Sequence, residues 1–150
     1  MLEKDHSSTF LAGKNLLKSE PIFEVLGDLD ELIISLSLCF SSSNSEETKN
    51  LIEKIQKELI GVGAFLATGK DEGFLEASLQ NTEEAIKKYK REDLSSFVIP
   101  KTKEDSFIHF SRTKARALER SVIRLKSKQL DKLVKYLNLL SQLLFWLAVK

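Results

Sequence analysis

Apolar side chains recur at intervals of three and four residues along most of this chain, and this spacing is typical of amphipathic helices. The pattern begins after Pro21, a residue favoured in the first turn of a helix. Only six glycines and two prolines occur among the 150 residues, so few positions interrupt the pattern. Helices of this kind bury their apolar stripes against one another, and the sequence therefore predicts an all-α fold.

Helix ends can be placed from residues that favour them. Ser45 is positioned to cap a second helix that ends near Gly69, and Thr102 with Asp105 has the spacing of a capping box for a fourth. Strand signals are nearly absent. Five helices with short connections predict a helical bundle that forms one domain over residues 1–150. The predicted helix bounds are about 21–40, 45–69, 72–89, 102–127 and 130–150.

Composition restricts the classes of partner and location. The 23 basic and 22 acidic side chains leave a formal net charge of +1, so no overall field favours nucleic acid or an anionic membrane. There is no run of about 18 apolar residues and no charged segment followed by an apolar stretch at the start, so we expect a cytoplasmic protein without a membrane span. The single cysteine, Cys39, lies in an apolar run and is expected to be buried.

A row of cations distinguishes the predicted fourth helix. Arg112, Arg116 and Arg120 stand at i, i+4 and i+8, with Glu119 beside them, so three guanidinium groups line one edge of the helix. Such an edge suits a polyphosphate, because guanidinium stays charged and binds phosphate oxygens in pairs. A solvated helix face gives the same pattern, so the spacing alone leaves both interpretations open.

Five segments, in order and spacing, resemble the PduO-type ATP:cob(I)alamin adenosyltransferases, and the resemblance covers nearly the whole chain. It implies a ferritin-like bundle that assembles as a homotrimer with the active site between subunits. It also implies transfer of the 5′-deoxyadenosyl group of ATP to reduced cobalamin, with Mg²⁺ on the triphosphate. The segments are FEVLGDLDELIISLSL, IQKELIGVGAFLAT, FVIP, HFSRTKARALER and YLNLLSQLLFWLA.

The resemblance assigns roles to individual residues. Arg112, Arg116 and Glu119 match the residues of the arginine helix that act on the triphosphate, and Asp30 matches an intersubunit partner of Arg112. Residues 1–20 correspond to the nucleotide loop, and whether this segment orders only when nucleotide binds stays open. The remaining expected ATP ligands are Ser7, Ser8, Lys14, Lys18, Arg120 and Asn138.

Two residues are expected to contact cobalamin. Phe97, in FVIP, matches an aromatic residue that crowds the lower axial face of cobalt and keeps other ligands away from it. His109 lies on the Arg112 side of its helix and could face the corrin or phosphate. Neither His6 nor His109 has a Cys or acidic partner at ligand spacing, so no protein metal site is predicted. Phe145 is expected to be a packing residue.

Several positions depart from the family pattern. LEKDHSS replaces a glycine-containing loop, TGDxG, that lets backbone N–H groups approach phosphate. The other departures are Ile33 for asparagine, Lys101-Thr102 for Gly-Gly, Leu139 for arginine and Gln142 for aspartate. They favour an alternative in which the chain is a non-catalytic trimeric homologue that binds a corrinoid or is structural. An unrelated helical interaction module would require five ordered matches to be accidental.

Overall fold

A computed structural model describes residues 8–11, 13–71, 73–94 and 96–150, with side chains from Leu11 onward. This part of the chain contains five α-helices, which confirms the predicted fold class. None of its helices is both long and apolar enough to cross a bilayer. The elements are β1 (Ser8–Leu11), β2 (Lys14–Leu17), α1 (Pro21–Ser42), α2 (Glu46–Thr68), α3 (Phe74–Tyr89), α4 (Lys103–Arg124), a 3-10 turn (Lys128–Leu130) and α5 (Asp131–Ala148).

The helix ends follow the chemistry expected from the sequence. The Ser45 hydroxyl accepts the Thr48 N–H at 3.2 Å, and the Thr102 hydroxyl accepts the Asp105 N–H at 3.0 Å. Gly69, with φ 72, ends α2 in the left-handed region that glycine tolerates. The fourth helix ends three residues before its predicted bound, because Lys126 adopts φ 52 and cannot continue it.

The helices surround one apolar core. Helix α1 packs between α2 and α4, and α5 packs between α4 and α3. Helix α4 therefore lies between α1 and α5. Helices α2 and α3 approach closely at Gly61, where an added Cβ would lie 3.0 Å from the Phe74 ring. That distance shows that the two helices pack closely at this glycine. The largest fully buried core side chains include Leu32, Leu36, Ile52, Leu59, Leu118, Leu137, Leu140 and Tyr136.

A short β-hairpin precedes the bundle and was not expected from the sequence. Strands β1 and β2 pair antiparallel, with Ser8 opposite Leu17 and Leu11 opposite Lys14. Gly13, with φ 83, provides the left-handed conformation needed in the tight connection. Two strands of four residues are too short to show a clear alternation of apolar and polar side chains, so the pattern of the sequence does not reveal them.

Three helices share a buried polar contact. The Tyr136 hydroxyl of α5 donates to a Glu58 carboxylate oxygen of α2 at 2.9 Å, and the Asn81 amide of α3 lies 3.5 Å from the other oxygen. Burial raises the pKa of Glu58, while the hydrogen bonds from Tyr136 and Asn81 oppose that rise. The Tyr136 hydroxyl therefore compensates a half-buried carboxylate and links α5 to α2.

Replacing Tyr136 by Phe should lower the free energy of unfolding by about 1–3 kcal/mol, since it leaves a half-buried carboxylate oxygen without its donor. The measurement is urea-induced unfolding followed by circular dichroism. Tyr89→Phe is the matched control, because Tyr89 also donates to a glutamate, Glu47, but at the surface. Equal losses in the two variants would contradict the role given to the buried contact.

Candidate functional site

One side of α4 is fixed against α1 by short polar side chains. The Ser111 hydroxyl donates to the Ser35 oxygen at 2.9 Å, and the Cys39 sulfur lies 3.3 Å from the Ser111 oxygen. Burial raises the pKa of the Cys39 thiol to about 11, so Cys39 is an inert buried group, in agreement with the sequence prediction. At the edge of this contact Lys114 pairs with Glu31 at 2.7 Å. This side of α4 is therefore occupied by packing.

The other side of α4 meets α5 and the irregular segment before α4. The His109 side chain is buried, and its ring centroid lies 6.0 Å from the centroids of both Phe97 and Phe145. Phe145 also packs edge-on against Trp146 at 5.0 Å. Phe145 therefore packs as expected, but against a predicted site residue, and no motif in the sequence indicated that contact.

Arg112 joins this aromatic group. Its guanidinium carbon lies 5.8 Å from the Phe97 ring centroid, within the range of a cation–π contact. Its Nε donates to His109 Nδ1 at 3.3 Å. Burial, and then the nearby Arg116 charge, lower the pKa of Arg112, although a guanidinium stays charged at any physiological pH. The structure thus brings three of the predicted site residues, Phe97, His109 and Arg112, into mutual contact.

The next two turns of α4 carry the remaining charged candidates. Arg116 and Arg120 are exposed and Glu119 is half-buried. No ion pair to any of these three side chains, or to Arg112, occurs in the described part of the chain. Six other cations of the described chain form ion pairs, as Lys132 does with Glu76 at 3.3 Å. The arginine row is therefore a local concentration of positive charge without intramolecular compensation, as an anion site requires.

Asn138 lies on α5 at the level of Arg116. Helices α4 and α5 are antiparallel, and the contact between His109 and Phe145 fixes their register. Arg116 is seven residues after His109, and Asn138 is seven before Phe145, so each lies about 10 Å from that contact along its own helix. Both side chains are exposed. The two residues therefore lie at a similar height on neighbouring helices.

Gln142, one of the departures from the family pattern, contacts Asn138 directly. Its Nε2 donates to the Asn138 Oδ1 at 2.8 Å. The bond occupies the Asn138 oxygen, and the Asn138 NH₂ group makes no hydrogen bond among the described residues. Gln142 therefore orients Asn138, a residue predicted to bind ATP. It cannot hold a cation as an aspartate would.

Other departures have local structural explanations. Thr102, in place of a glycine, supplies the hydroxyl that caps α4. Ile33, in place of asparagine, packs its half-buried side chain against the core, and its carbonyl accepts from Gln56 Nε2 at 3.0 Å. Leu139 also packs against the core. These substitutions add apolar packing or a helix cap.

The N-terminal candidates lie apart from this group or outside the described residues. Lys14 lines an open cleft of about 610 Å³ between the hairpin and the adjoining ends of α1 and α2, together with Ile22 and Thr68. Lys18 is exposed in the turn before α1. Ser8 begins β1, and its side chain lies outside the description, as does the whole of Ser7. No hydrogen bond or ion pair joins Lys14 or Lys18 to the arginine row in the described part of the chain.

The chain belongs to the cobalamin adenosyltransferase family, whose profile matches residues 2–150. It is 32% identical over 158 residues to the corrinoid adenosyltransferase PduO of Salmonella typhimurium, covering 95% of this chain and 46% of that protein. It is 31% identical over 156 residues to a corrinoid adenosyltransferase of Citrobacter freundii, covering 96% of this chain and 89% of that one. The chain thus spans about half the length of the PduO relatives it matches.

Solved structures agree in fold. An Arg-to-Lys variant of a PduO-type ATP:corrinoid adenosyltransferase from Lactobacillus reuteri, complexed with ATP, matches with a TM-score of 0.84 and 29% identity over 96% of this chain and 88% of that chain. A Phe-to-His variant from the same organism, complexed with cobalamin and ATP, matches with a TM-score of 0.83 and 28% identity over 96% of this chain and 85% of that chain.

Phe97→Ala should lower the free energy of unfolding by no more than about 1 kcal/mol, because the side chain is 65% exposed and its contact with Arg112 is a cation–π contact at the surface. Leu144→Ala, at a fully buried position, should cost about 2–5 kcal/mol and serves as the reference. Chemical denaturation of both variants checks this. A loss above about 2 kcal/mol for Phe97→Ala would show that the ring is a core side chain and not one presented to a ligand.

Proposed function

We propose that this protein transfers the 5′-deoxyadenosyl group of ATP to cob(I)alamin, giving adenosylcobalamin and triphosphate. The observation that carries the proposal is the contact of Phe97, His109 and Arg112 at one end of an arginine row without ion-pair partners in the described chain. An exposed aromatic ring beside uncompensated guanidinium groups presents an apolar surface and an anion site next to each other. A corrinoid and the triphosphate of ATP require both. The relatives solved with ATP and cobalamin support the same assignment.

The arginines and the amide of α5 would hold the nucleotide. Arg112, Arg116 and Arg120 would neutralise the triphosphate, which enters as its magnesium complex, and Asn138 would donate from its free NH₂ group. Glu119, half-buried beside them, can orient an arginine or a water bound to the magnesium ion. Ser7, Ser8, Lys14 and Lys18 complete the proposed ligand set from the N-terminal nucleotide segment, residues 1–20.

The reaction would be a direct displacement. Reduced cobalt donates its electron pair to the ribose C5′, the C5′–O bond breaks, and triphosphate leaves with that bonding pair and with its charge neutralised by the arginines. Phe97 would crowd the lower axial face of cobalt with a ring that cannot ligate it. The protein supplies position and electrostatic stabilisation, and no side-chain nucleophile is needed.

Adenosyl transfer can be measured by mixing the protein anaerobically with ATP, Mg²⁺ and chemically reduced cobalamin and following the visible spectrum. Arg116→Ala should lower kcat/KM about 10- to 100-fold, as expected for the loss of a charged hydrogen bond to phosphate. Arg124→Ala, an exposed arginine two turns further along α4, is the matched control and should leave the rate unchanged. Binding of ATP or cobalamin without conversion would favour the alternative, a non-catalytic homologue.

We also propose that the active protein is a homotrimer in which Asp30 of one subunit pairs with Arg112 of the next. Within one chain Arg112 faces α5 and the segment before α4, whereas Glu31, the neighbour of Asp30, marks the opposite side of α4. Asp30 is exposed. Asp30 and Arg112 form no ion pair within the described part of one chain, and the family resemblance supports their pairing across the subunits of a trimer.

Sedimentation equilibrium tests the assembly. Asp30→Arg should shift the protein from trimer toward monomer, because it places like charges at the contact, and the double variant Asp30→Arg/Arg112→Asp should restore the trimer. Glu53→Arg, an exposed acid on α2, is the control for the change in net charge and should stay trimeric. A wild-type protein that sediments as a monomer at all concentrations would exclude the proposed assembly.

A further inference from the structure

His109 is the only histidine among the described residues. Its two ring nitrogens have different surroundings. The residue is 5% exposed, enclosed between Phe97 and Phe145. Its Nδ1 accepts a hydrogen bond from Arg112 Nε. Because an accepting nitrogen carries no proton, this contact requires the neutral tautomer with hydrogen on Nε2. Arg112 thus selects one of the three protonation states of the ring.

The Nε2 side of the ring faces no acceptor. No hydrogen-bond partner for His109 Nε2 exists among the described residues, and the ring borders a cleft of about 240 Å³. The cleft is lined by apolar residues of the segment before α4 and of the end of α5. Its charged side chains are Arg91, Lys101, Asp105 and Lys150.

These surroundings oppose a second proton on the ring. Burial lowers the pKa of His109 first, the Arg112 charge lowers it further, and only Asp105 acts in the opposite sense. Of the other charged groups at the cleft, Arg91 is already paired with Asp93. Lys101 and Lys150 add positive charge. The neutral ring is therefore the form that the folded protein favours.

We infer that neutral His109, with its proton on Nε2, is a positioning residue that holds the Arg112 side chain against the Phe97 ring. The one hydrogen bond from Arg112 to His109 is donated by Nε, the guanidinium nitrogen nearest the side-chain stem. The two terminal NH₂ groups have no hydrogen-bond partner in the described structure and remain available as a fork for phosphate or carboxylate oxygens. This inference rests on the proposed function and assigns His109 a role that acts through Arg112.

The arrangement has a defined pH dependence. Protonation of Nδ1 removes the acceptor and places a second cation beside Arg112, so the contact is lost once His109 is charged. Since the folded-state pKa lies below the ordinary value of 6.5, the contact is fully present above that value and is lost as pH falls through the lower folded-state pKa. Weaker ATP binding at acidic pH should accompany that loss.

The tautomer can be tested without any assay of activity. Two-bond ¹H–¹⁵N correlation spectra of the ligand-free protein distinguish a ring protonated on Nε2 from one protonated on Nδ1, and His6→Gln removes the signal of the only other histidine. We expect the Nε2–H form for His109, with a pKa below 6.5 that rises in Arg112→Ala. A ring protonated on Nδ1, or a pKa that does not respond to Arg112→Ala, would overturn the inference even if the protein showed no transferase activity.

Two substitutions separate positioning from packing. In the His109→Asn variant, the side-chain oxygen of the asparagine can take the place of the histidine Nδ1 and accept from Arg112. In the His109→Gln variant, the longer side chain carries its amide to the place of the histidine Nε2. His109→Asn should keep the KM for ATP within about twofold of the wild type and remove its rise below about pH 6.5. His109→Gln should raise that KM about tenfold at neutral pH, as expected for a misplaced charged hydrogen bond.

The thermal unfolding of both variants is measured together with their kinetics, so that a loss of activity caused by misfolding is recognised. If two equally stable variants were equally impaired, the ring would act by packing alone and the inference would be wrong. A wild-type protein without transferase activity would instead refute the proposed function, and the tautomer measurement would still decide the contact between His109 and Arg112.

Discussion

The burial of α4 between α1 and α5 is the constraint on which the rest of the site depends. On one side, Ser35, Ser111 and Cys39 form a chain of polar contacts inside the core, and polar groups there must be satisfied by each other because water is excluded. On the other side, His109 packs against Phe145. With two sides fixed, the helix cannot rotate, and the edge that carries the arginines has only one direction in which to point.

A second consequence is electrostatic. The chain as a whole is nearly neutral, with a formal net charge of +1, so a strong field can arise only where charges are unevenly distributed. On α1 and α3, acidic side chains meet the lysines of neighbouring helices, as in the pairs Lys114–Glu31 and Lys132–Glu76. The arginine row has no such partner in the described part of the molecule. Its repulsion is tolerated because the guanidinium groups are largely in water, and a polyphosphate would relieve it.

Four departures from the family pattern have physical roles in the described part of the chain, whereas nearly all of LEKDHSS lies outside it. Thr102 caps α4, Ile33 and Leu139 extend the apolar core, and Gln142 orients the amide of Asn138. A sequence comparison counts each of these as a loss, because it compares chemical groups position by position. In the structure Thr102 and Gln142 make hydrogen bonds on α4 and α5, and Ile33 and Leu139 pack against the core. They are therefore compatible with a retained site, although Gln142 lacks the charge of an aspartate.

The sequence by itself determined the five helices, most of their ends and the edge on which Arg112, Arg116 and Arg120 stand, because apolar period, capping hydroxyls and i, i+4 spacing are local properties. It did not reveal the hairpin, whose strands are too short for a pattern. Only the tertiary structure decided that Phe97 and Phe145 enclose His109 and that His109 accepts from Arg112. Those contacts join residues from α4, α5 and an irregular segment, and their distances depend on how the core packs rather than on any spacing along the chain.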